Sequence, residues 1–204
     1  MNNSLLALLA LLPALFLASC ATTKPTSSSF LANQDELVTD GKIRSFTSPK
    51  LANTKLRKAY IAPVVLELKK ETFSEAKRAE LVTYYQDELK TALGEKYEII
   101  NAPSSNAYTV RSAITGLNGS NVWANAVLAV VAVPLDNGGA SVETEVLKGK
   151  SSERLYAEAR SIAGGLTGKG SFTSKTFGYL SSTSHSKAAL KNVAQTIADK
   201  LPTP

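Results

Sequence analysis

The chain has 204 residues, of which 44% are hydrophobic and 20% are charged. This composition is ordinary for a soluble domain, and a domain of this length can bury a core without disulfides. One cysteine and one histidine exclude a structural zinc site, and we expect no metal or cofactor.

The net charge of +6 is concentrated in one stretch of the chain. Residues Gly41 to Leu66 contain no acidic residue and six basic ones, namely Lys42, Arg44, Lys50, Lys55, Arg57 and Lys58. We call these six the basic segment. It predicts contact with an anionic lipid surface or an acidic envelope protein, and we expect no nucleic-acid partner. The alternative is a solvated linker whose charges only aid solubility.

The N-terminal residues are typical of a targeting segment. The apolar run Leu5–Leu17 is too short to span a bilayer, which takes about 20 residues, but it suits a secretory signal. Leu17-Ala18-Ser19-Cys20 resembles the lipobox of bacterial lipoproteins. The resemblance implies that residues 1–19 are a cleaved signal peptide and that acylated Cys20 anchors the protein in membrane lipid. An ordinary secretory signal with an incidental cysteine is the alternative.

The residue after the cysteine indicates which membrane would hold the lipoprotein. Ala21 stands where lipoproteins held in the inner membrane often carry Asp. The lipoprotein resemblance therefore favours the periplasmic side of the outer membrane.

Downstream of the cysteine, composition divides the chain in two. We predict that residues 20–54 are a lipidated, partly docked basic tether and that residues 55–204 are the folded domain. Phe30, Leu31 and Leu37 interrupt the polar tract, so we expect that stretch to dock on the domain. If the chain were flexible up to Lys55, it could reach about 110 Å when fully extended.

The domain is predicted to consist of runs of strands separated by two strong helices. The stretch from Tyr60 to Leu68 predicts a strand with Pro63 at an edge or a bulge. A capping box beginning at Thr72 predicts a helix that stops at Gly94, with its apolar face formed by Leu81, Tyr85, Leu89 and Ala92. A last helix is predicted from about His185 to Leu201, with its stripe formed by Leu190, Val193, Ile197 and Leu201.

Four more strands complete the prediction, at residues 97–101, 107–117, 141–147 and 154–162, the last two as a hairpin. Residues 122–133 fit a helix or a strand, and a short helix is favoured. Together these elements predict an α+β fold, in which two main helices pack on one face of a mostly antiparallel sheet. Strand order does not follow from the pattern.

Several short motifs appear in a recognisable order along the chain. They are Ser29-Phe30-Leu31 with Leu37, Tyr60-Ile61-Ala62-Pro63-Val64, the stretch from Tyr108 to Thr115, Val133-Pro134, the stretch from Gly138 to Glu145, and Arg154-Leu155. With the lipobox, the series resembles the uncharacterised domain-of-unknown-function family 3313 of bacterial lipoproteins. The resemblance implies an envelope lipoprotein with an α+β domain, and it transfers no catalytic residue.

Two candidate sites fail on their motifs. The stretch from Gly164 to Gly170 partly resembles a phosphate-binding loop, but Ala163 and Gly170 stand where Gly and Ser or Thr are required. His185 follows a run of Ser and Thr that suits a helix N-terminus, and no nucleophile-elbow sequence surrounds any serine near it.

Glu143 and Glu145 share one face of a predicted strand, as a glycan-cleaving pair would. We interpret them instead as cross-strand partners of Arg154 or Arg160, with Val142, Thr144 and Val146 supplying the buried face.

These observations favour a non-enzymatic accessory lipoprotein that binds another envelope component. The alternative is a carrier of a small apolar ligand or lipid in a cavity near Trp123, although core packing is the simpler interpretation of that residue. An envelope hydrolase, the third hypothesis, lacks a convincing active site.

Overall fold

The computed structural model describes residues 28–40, 43–68, 73–118, 139–163 and 183–204. These residues form one eight-stranded sheet and two α-helices. The strands are β1 (Val38–Asp40), β2 (Ile43–Thr47), β3 (Lys58–Ile61), β4 (Val65–Leu66), β5 (Glu98–Ile100), β6 (Ala107–Asn118), β7 (Gly139–Lys148) and β8 (Arg154–Ala163). The helices are α1 (Glu75–Gly94) and α2 (Ser184–Lys200).

The strands follow the order β1-β2-β8-β7-β6-β3-β5, with β4 also paired to β6. The long pairings β6–β7 and β7–β8 are antiparallel, as are β1–β2 and β2–β8. Strand β3 is parallel to both β5 and β6. The predicted α+β fold with a mostly antiparallel sheet is therefore confirmed, and a parallel corner is added where α1 forms the crossover before β5.

Both helices pack on one face of the sheet, which we call the helix face. Helix α1 buries the predicted Leu81, Tyr85 and Leu89, and α2 buries the predicted Leu190, Val193 and Ile197. They meet Tyr108, Val110 and Ile114 of β6 together with Val142 and Val146 of β7 in one core. The apolar stripes recur every three or four residues, so each helix has one face to bury against the sheet.

Pro63 separates β3 from β4, as predicted for a residue that cannot donate to a strand ladder. Both strands pair with β6, but Ile61 is opposite Val110 and Val65 is opposite Ala113. The chain from Ile61 to Val65 thus contains one residue more than the facing part of β6, which is a β-bulge. The Val64 N–H is satisfied by the Gln86 side chain of α1 at 2.9 Å.

One prediction about an element boundary was wrong. Helix α1 begins at Glu75 with Ser74 as its N-cap residue, so Thr72 does not hold that position. The stretch 20–54, which we predicted to be a lipidated, partly docked basic tether, contains strands β1 and β2 of the sheet. The sheet-forming part of the chain therefore begins well before residue 55.

The turn between β7 and β8 depends on Gly149. Its φ is +62°, and a Cβ added there would lie 2.7 Å from the Ser105 carbonyl oxygen. Its N–H donates to the Ala107 carbonyl at 2.8 Å, so the turn is fixed against the start of β6. A side chain at this position would therefore strain both the turn and the loop before β6.

Gly149→Ala is expected to lower the free energy of unfolding by about 2 kcal/mol, because it adds a backbone clash to an unfavourable φ. Thermal unfolding followed by circular dichroism would measure the change. Gly94→Ala is the matched control: its Cβ would lie 3.7 Å from Ile99, an ordinary contact. Equal unfolding temperatures for the two variants would contradict the assignment.

Candidate functional site

Residues 28–37 lie across the second face of the sheet, and we call them the strap. The predicted docking of this stretch is seen directly. The strap buries Leu31 and Leu37 in a small apolar cluster with Ala157, Ala159, Phe30 and Phe46. The sheet is therefore covered on both faces, by helices on one and by the strap on the other.

Glu143 holds the start of the strap. It is only 1% exposed, and its carboxylate accepts three hydrogen bonds. The donors are Ser28 N at 2.8 Å, Ser28 Oγ at 2.9 Å and Leu31 N at 3.3 Å. Hydrogen bonds to a carboxylate are stronger than hydrogen bonds between neutral groups, so Glu143 contributes much of the binding of the strap to the sheet.

Glu145 lies beside it and binds two arginines. Arg111 Nη1 is 2.6 Å from its Oε1, and Arg154 Nε is 3.5 Å from its Oε2. Arg154 also donates to the Ala32 carbonyl at 2.6 Å. The guanidinium of Arg111 lies 5.3 Å from the centre of the Phe30 ring. The two arginines thus connect a buried carboxylate to the strap.

A β-bulge puts Arg154 on this face. Val146 is opposite Tyr156 but Leu147 is opposite Arg154, so β8 contains one extra residue, Leu155, at this point. In a regular strand, Arg154 would point to the same face as Tyr156, because residues two apart share a face. The bulge turns Arg154 to the other face. The bulge therefore makes the Arg154–Glu145 contact possible.

Our interpretation of the two glutamates is partly confirmed. They share a face and Arg154 pairs with Glu145, while Val142, Thr144 and Val146 face the helices. Of the two arginines named as alternatives, Arg154 is the partner, and Arg160 pairs with Glu158 at 3.0 Å. One point was wrong: the face carrying the glutamates is buried as well. The burial was missed because the strap lies more than 100 residues away in sequence.

A second polar cluster, on the helix face, was not predicted. Glu158 is 1% exposed, and it accepts hydrogen bonds from the Tyr156 hydroxyl at 2.6 Å and from Arg160 Nη2 at 3.0 Å. Burial raises the pKa of Tyr156, and the adjacent Glu158 charge raises it further, so the hydroxyl stays a donor. The signal in the sequence is the alternation of Tyr156, Glu158 and Arg160, which puts all three on one face.

The basic segment does not act as a single unit. Arg44 donates to the Gln34 carbonyl of the strap at 2.8 Å. Lys50 pairs with Glu153 at 2.7 Å and Lys58 pairs with Glu98 at 3.2 Å. Lys55 and Arg57 are exposed and take part in no ion pair within the described residues. Lys42 lies outside the described residues.

An open groove runs between α1 and the strands β3 and β5. Its volume is about 450 Å³, and its apolar lining includes Val64, Val82 and Ile99, with Gln86 and Asn101 as polar groups. This volume lies within the roughly 300–1,000 Å³ of small-molecule sites. The groove mixes polar and apolar walls and opens to solvent, so it could take a ligand or part of a partner protein.

His185 is the second residue of α2, and Thr183 at the N-cap position makes no side-chain capping hydrogen bond. Cys20, Trp123, residues 122–133 and residues 164–170 lie outside the described part of the chain. Within that part there is no group of His, Cys, Asp or Glu side chains that could hold a metal. No described helix is long and apolar enough to cross a membrane.

Solved structures similar to this chain share little of its sequence. A PelC variant dodecamer from Paraburkholderia phytofirmans has 12% identity and a TM-score of 0.44, covering 76% of this chain and 95% of that one. The hypothetical protein CT253 from Chlamydia trachomatis has 12% identity and a TM-score of 0.37, covering 70% and 96%. Protein XCC0632 from Xanthomonas campestris has 10% identity and a TM-score of 0.32, covering 74% and 84%.

No curated protein matches the chain. A family model described as "Protein of unknown function (DUF3313)" matches residues 26–197. This range contains the motifs from Ser29 to Leu155 that carried the resemblance. Because the match spans most of the chain, the protein belongs to the DUF3313 family.

Proposed function

We propose that the protein is a non-enzymatic accessory lipoprotein, anchored through acylated Cys20 on the periplasmic side of the outer membrane. In this role the folded domain binds another envelope component. The anchor supplies the location, and the domain supplies the binding surface.

The docked strap is the observation that carries the proposal. Ser28 is fixed to Glu143, so only seven residues, 21–27, separate it from Cys20. The chain from Cys20 to Ser28 spans at most about 28 Å, against about 110 Å for a tether that ended at Lys55. An acyl anchor on so short a connection confines the whole domain to the membrane surface, as an accessory protein of the envelope requires.

The hydrogen bonds and ion pairs of the buried glutamates support a non-enzymatic role. Glu143 and Glu145 are occupied by strap donors and arginines, and the strap covers the face of the sheet on which they lie. Glu158 is occupied by Tyr156 and Arg160. A glycan-cleaving pair needs two carboxyl groups that reach substrate, one of them able to donate a proton.

Cys20→Ser is expected to release the protein into the soluble periplasm or to leave it as an unprocessed precursor, because serine cannot form the thioether. Membrane fractionation and the intact mass of the protein would measure this. Ala21→Ser is the matched control, since it keeps the thiol and should stay anchored. A Cys20→Ser protein that matured normally and still fractionated with the outer membrane would contradict the proposed anchor.

The groove beside α1 favours a second candidate, a carrier of a small apolar ligand or lipid. Val64, Val82 and Ile99 would contact such a ligand. Mass spectrometry of the protein purified from cells under native conditions separates the two functions. A carrier would retain one apolar small molecule, whereas crosslinking of an accessory protein in cells would recover a protein or polymer of the envelope.

A further inference from the structure

One end of the sheet gathers cations from two distant parts of the chain. Strands β3, β5 and β6 begin there, since Lys58 is opposite both Glu98 and Ala107. The turn between β7 and β8 lies at the same end, because the Gly149 N–H donates to the Ala107 carbonyl. Lys148 and Lys150 of this turn therefore lie beside the loop that leads into β3.

The cations at this end divide into paired and unpaired ones. Lys50 and Lys58 are neutralised by Glu153 and Glu98, and Lys96, where α1 ends, lies 3.8 Å from Asp199. Four exposed cations take part in no ion pair among the residues that the structure describes, namely Lys55, Arg57, Lys148 and Lys150. We call these four the basic end.

We propose that the basic end docks on an anionic lipid surface and turns the domain so that this end of the sheet faces the membrane. The proposal rests on the proposed function, because anchoring is what brings the domain to the lipid. It differs from the sequence prediction in its residues: Arg44, Lys50 and Lys58 are occupied, and Lys148 and Lys150 take their place.

The length of the connection permits this orientation. Ser28 is held at Glu143, and β7 runs from there to Lys148 over five residues, or about 17 Å. The chain from Cys20 to Ser28 spans up to about 28 Å, so Cys20 can reach beyond the basic end to the membrane. The attraction falls off within about 8 Å at physiological salt, so these side chains must lie close to the head groups.

Spin labels on the full chain in vesicles test the orientation. One label is placed through Ser152→Cys, in the exposed turn next to the basic end, and another through Ala188→Cys, exposed in the first turns of α2 at the opposite end. The vesicles contain phosphatidylcholine alone or with phosphatidylglycerol, and a nickel-chelating lipid reports how close each label lies to the head groups.

We expect at least tenfold stronger relaxation of the Ser152→Cys label than of the Ala188→Cys label on phosphatidylglycerol vesicles. The difference should disappear on phosphatidylcholine, at about 1 M salt, where the Debye length is about 3 Å, and when all four basic-end residues become Gln. The control variant removes four cations from the helices instead, through Lys77→Gln, Arg78→Gln, Lys187→Gln and Lys191→Gln, and should keep the difference.

Equal relaxation of the two labels on phosphatidylglycerol would overturn the proposal and direct attention to an acidic protein partner. An unchanged difference in the basic-end variant, or an equal loss in the control variant, would overturn it as well. Intact mass and labelling of the unaltered chain report separately whether the Cys20 thiol is acylated. A free thiol would refute the proposed anchoring, while the comparison of the two labels would still decide the orientation.

Discussion

Glu145→Ala is expected to lower the free energy of unfolding by about 3 kcal/mol, because it removes a buried carboxylate that pairs with two arginines. Arg154, with 12% of its side chain exposed, would keep, of its carboxylate contacts, only the 3.5 Å one with the half-exposed Glu36, whereas Arg111 is 46% exposed and would be solvated. For a domain of this size the change corresponds to a fall of about 10 °C in the unfolding temperature. Urea denaturation followed by circular dichroism would measure it.

Glu153→Ala provides the control for Glu145→Ala, since it removes the same side chain from an exposed pair. Lys50, its partner, has 73% of its side chain exposed, so the expected loss is much smaller than that of Glu145→Ala. Equal losses for the two variants would contradict a structural role for the Glu145 cluster.

Glu145→Gln should leave cellular function largely intact, and a folded, abundant Glu145→Gln protein without any function would revive the hydrolase hypothesis.

Glu143→Ala is expected to detach the strap while the rest of the sheet stays folded. It removes one acceptor from three hydrogen bonds, and bonds to a charged group contribute about 1.5–3 kcal/mol each. A local loss of about 3 kcal/mol corresponds to more than a hundredfold faster amide exchange in residues 28–37. Hydrogen exchange read by mass spectrometry would measure protection of the strap separately from protection of β6 to β8.

Glu36→Ala is the comparison for Glu143→Ala within the strap. Glu36 forms a 3.5 Å ion pair with Arg154 and accepts a 3.4 Å hydrogen bond from the Asn33 side chain, both at exposed positions, so protection of the strap should change little. Unchanged protection in Glu143→Ala would show that Leu31 and Leu37 hold the strap without the carboxylate.

Local patterns predicted the helices and the central hairpin because their signals lie within a few residues. The stripe from Leu81 to Ala92 fixes the buried face of α1, and alternation in residues 141–147 fixes which side chains of β7 face the helices. The strand break at Pro63 was equally local, since a missing N–H is a property of that one residue. The placement of His185 at the start of the last helix was local as well, since Ser and Thr precede an apolar stripe there.

The remainder depended on contacts between distant residues. Strand β2 is short and only partly buried, and its partner β8 lies more than 100 residues later, so the sequence Ile43–Thr47 carries little local signal. Glu143 and Glu145 alternate with apolar residues, a pattern typical of a strand with one exposed face. That face is buried because the strap covers it. The ion pair between Lys50 of the basic segment and Glu153 was likewise not predictable, because the two residues lie far apart in the sequence.

The long separation of the strap from its binding site also orders the events of folding. Ser28 and Glu143 are 115 residues apart, and Leu31 is 112 residues from the same carboxylate. The strap is therefore among the first residues of the domain to be synthesised, yet it has nowhere to dock until β7 and β8 exist. If the chain is exported and acylated as proposed, residues 28–37 remain undocked while the rest of the chain follows. An enzyme that acts on Cys20 would then meet its substrate before the fold draws that end of the chain against the sheet.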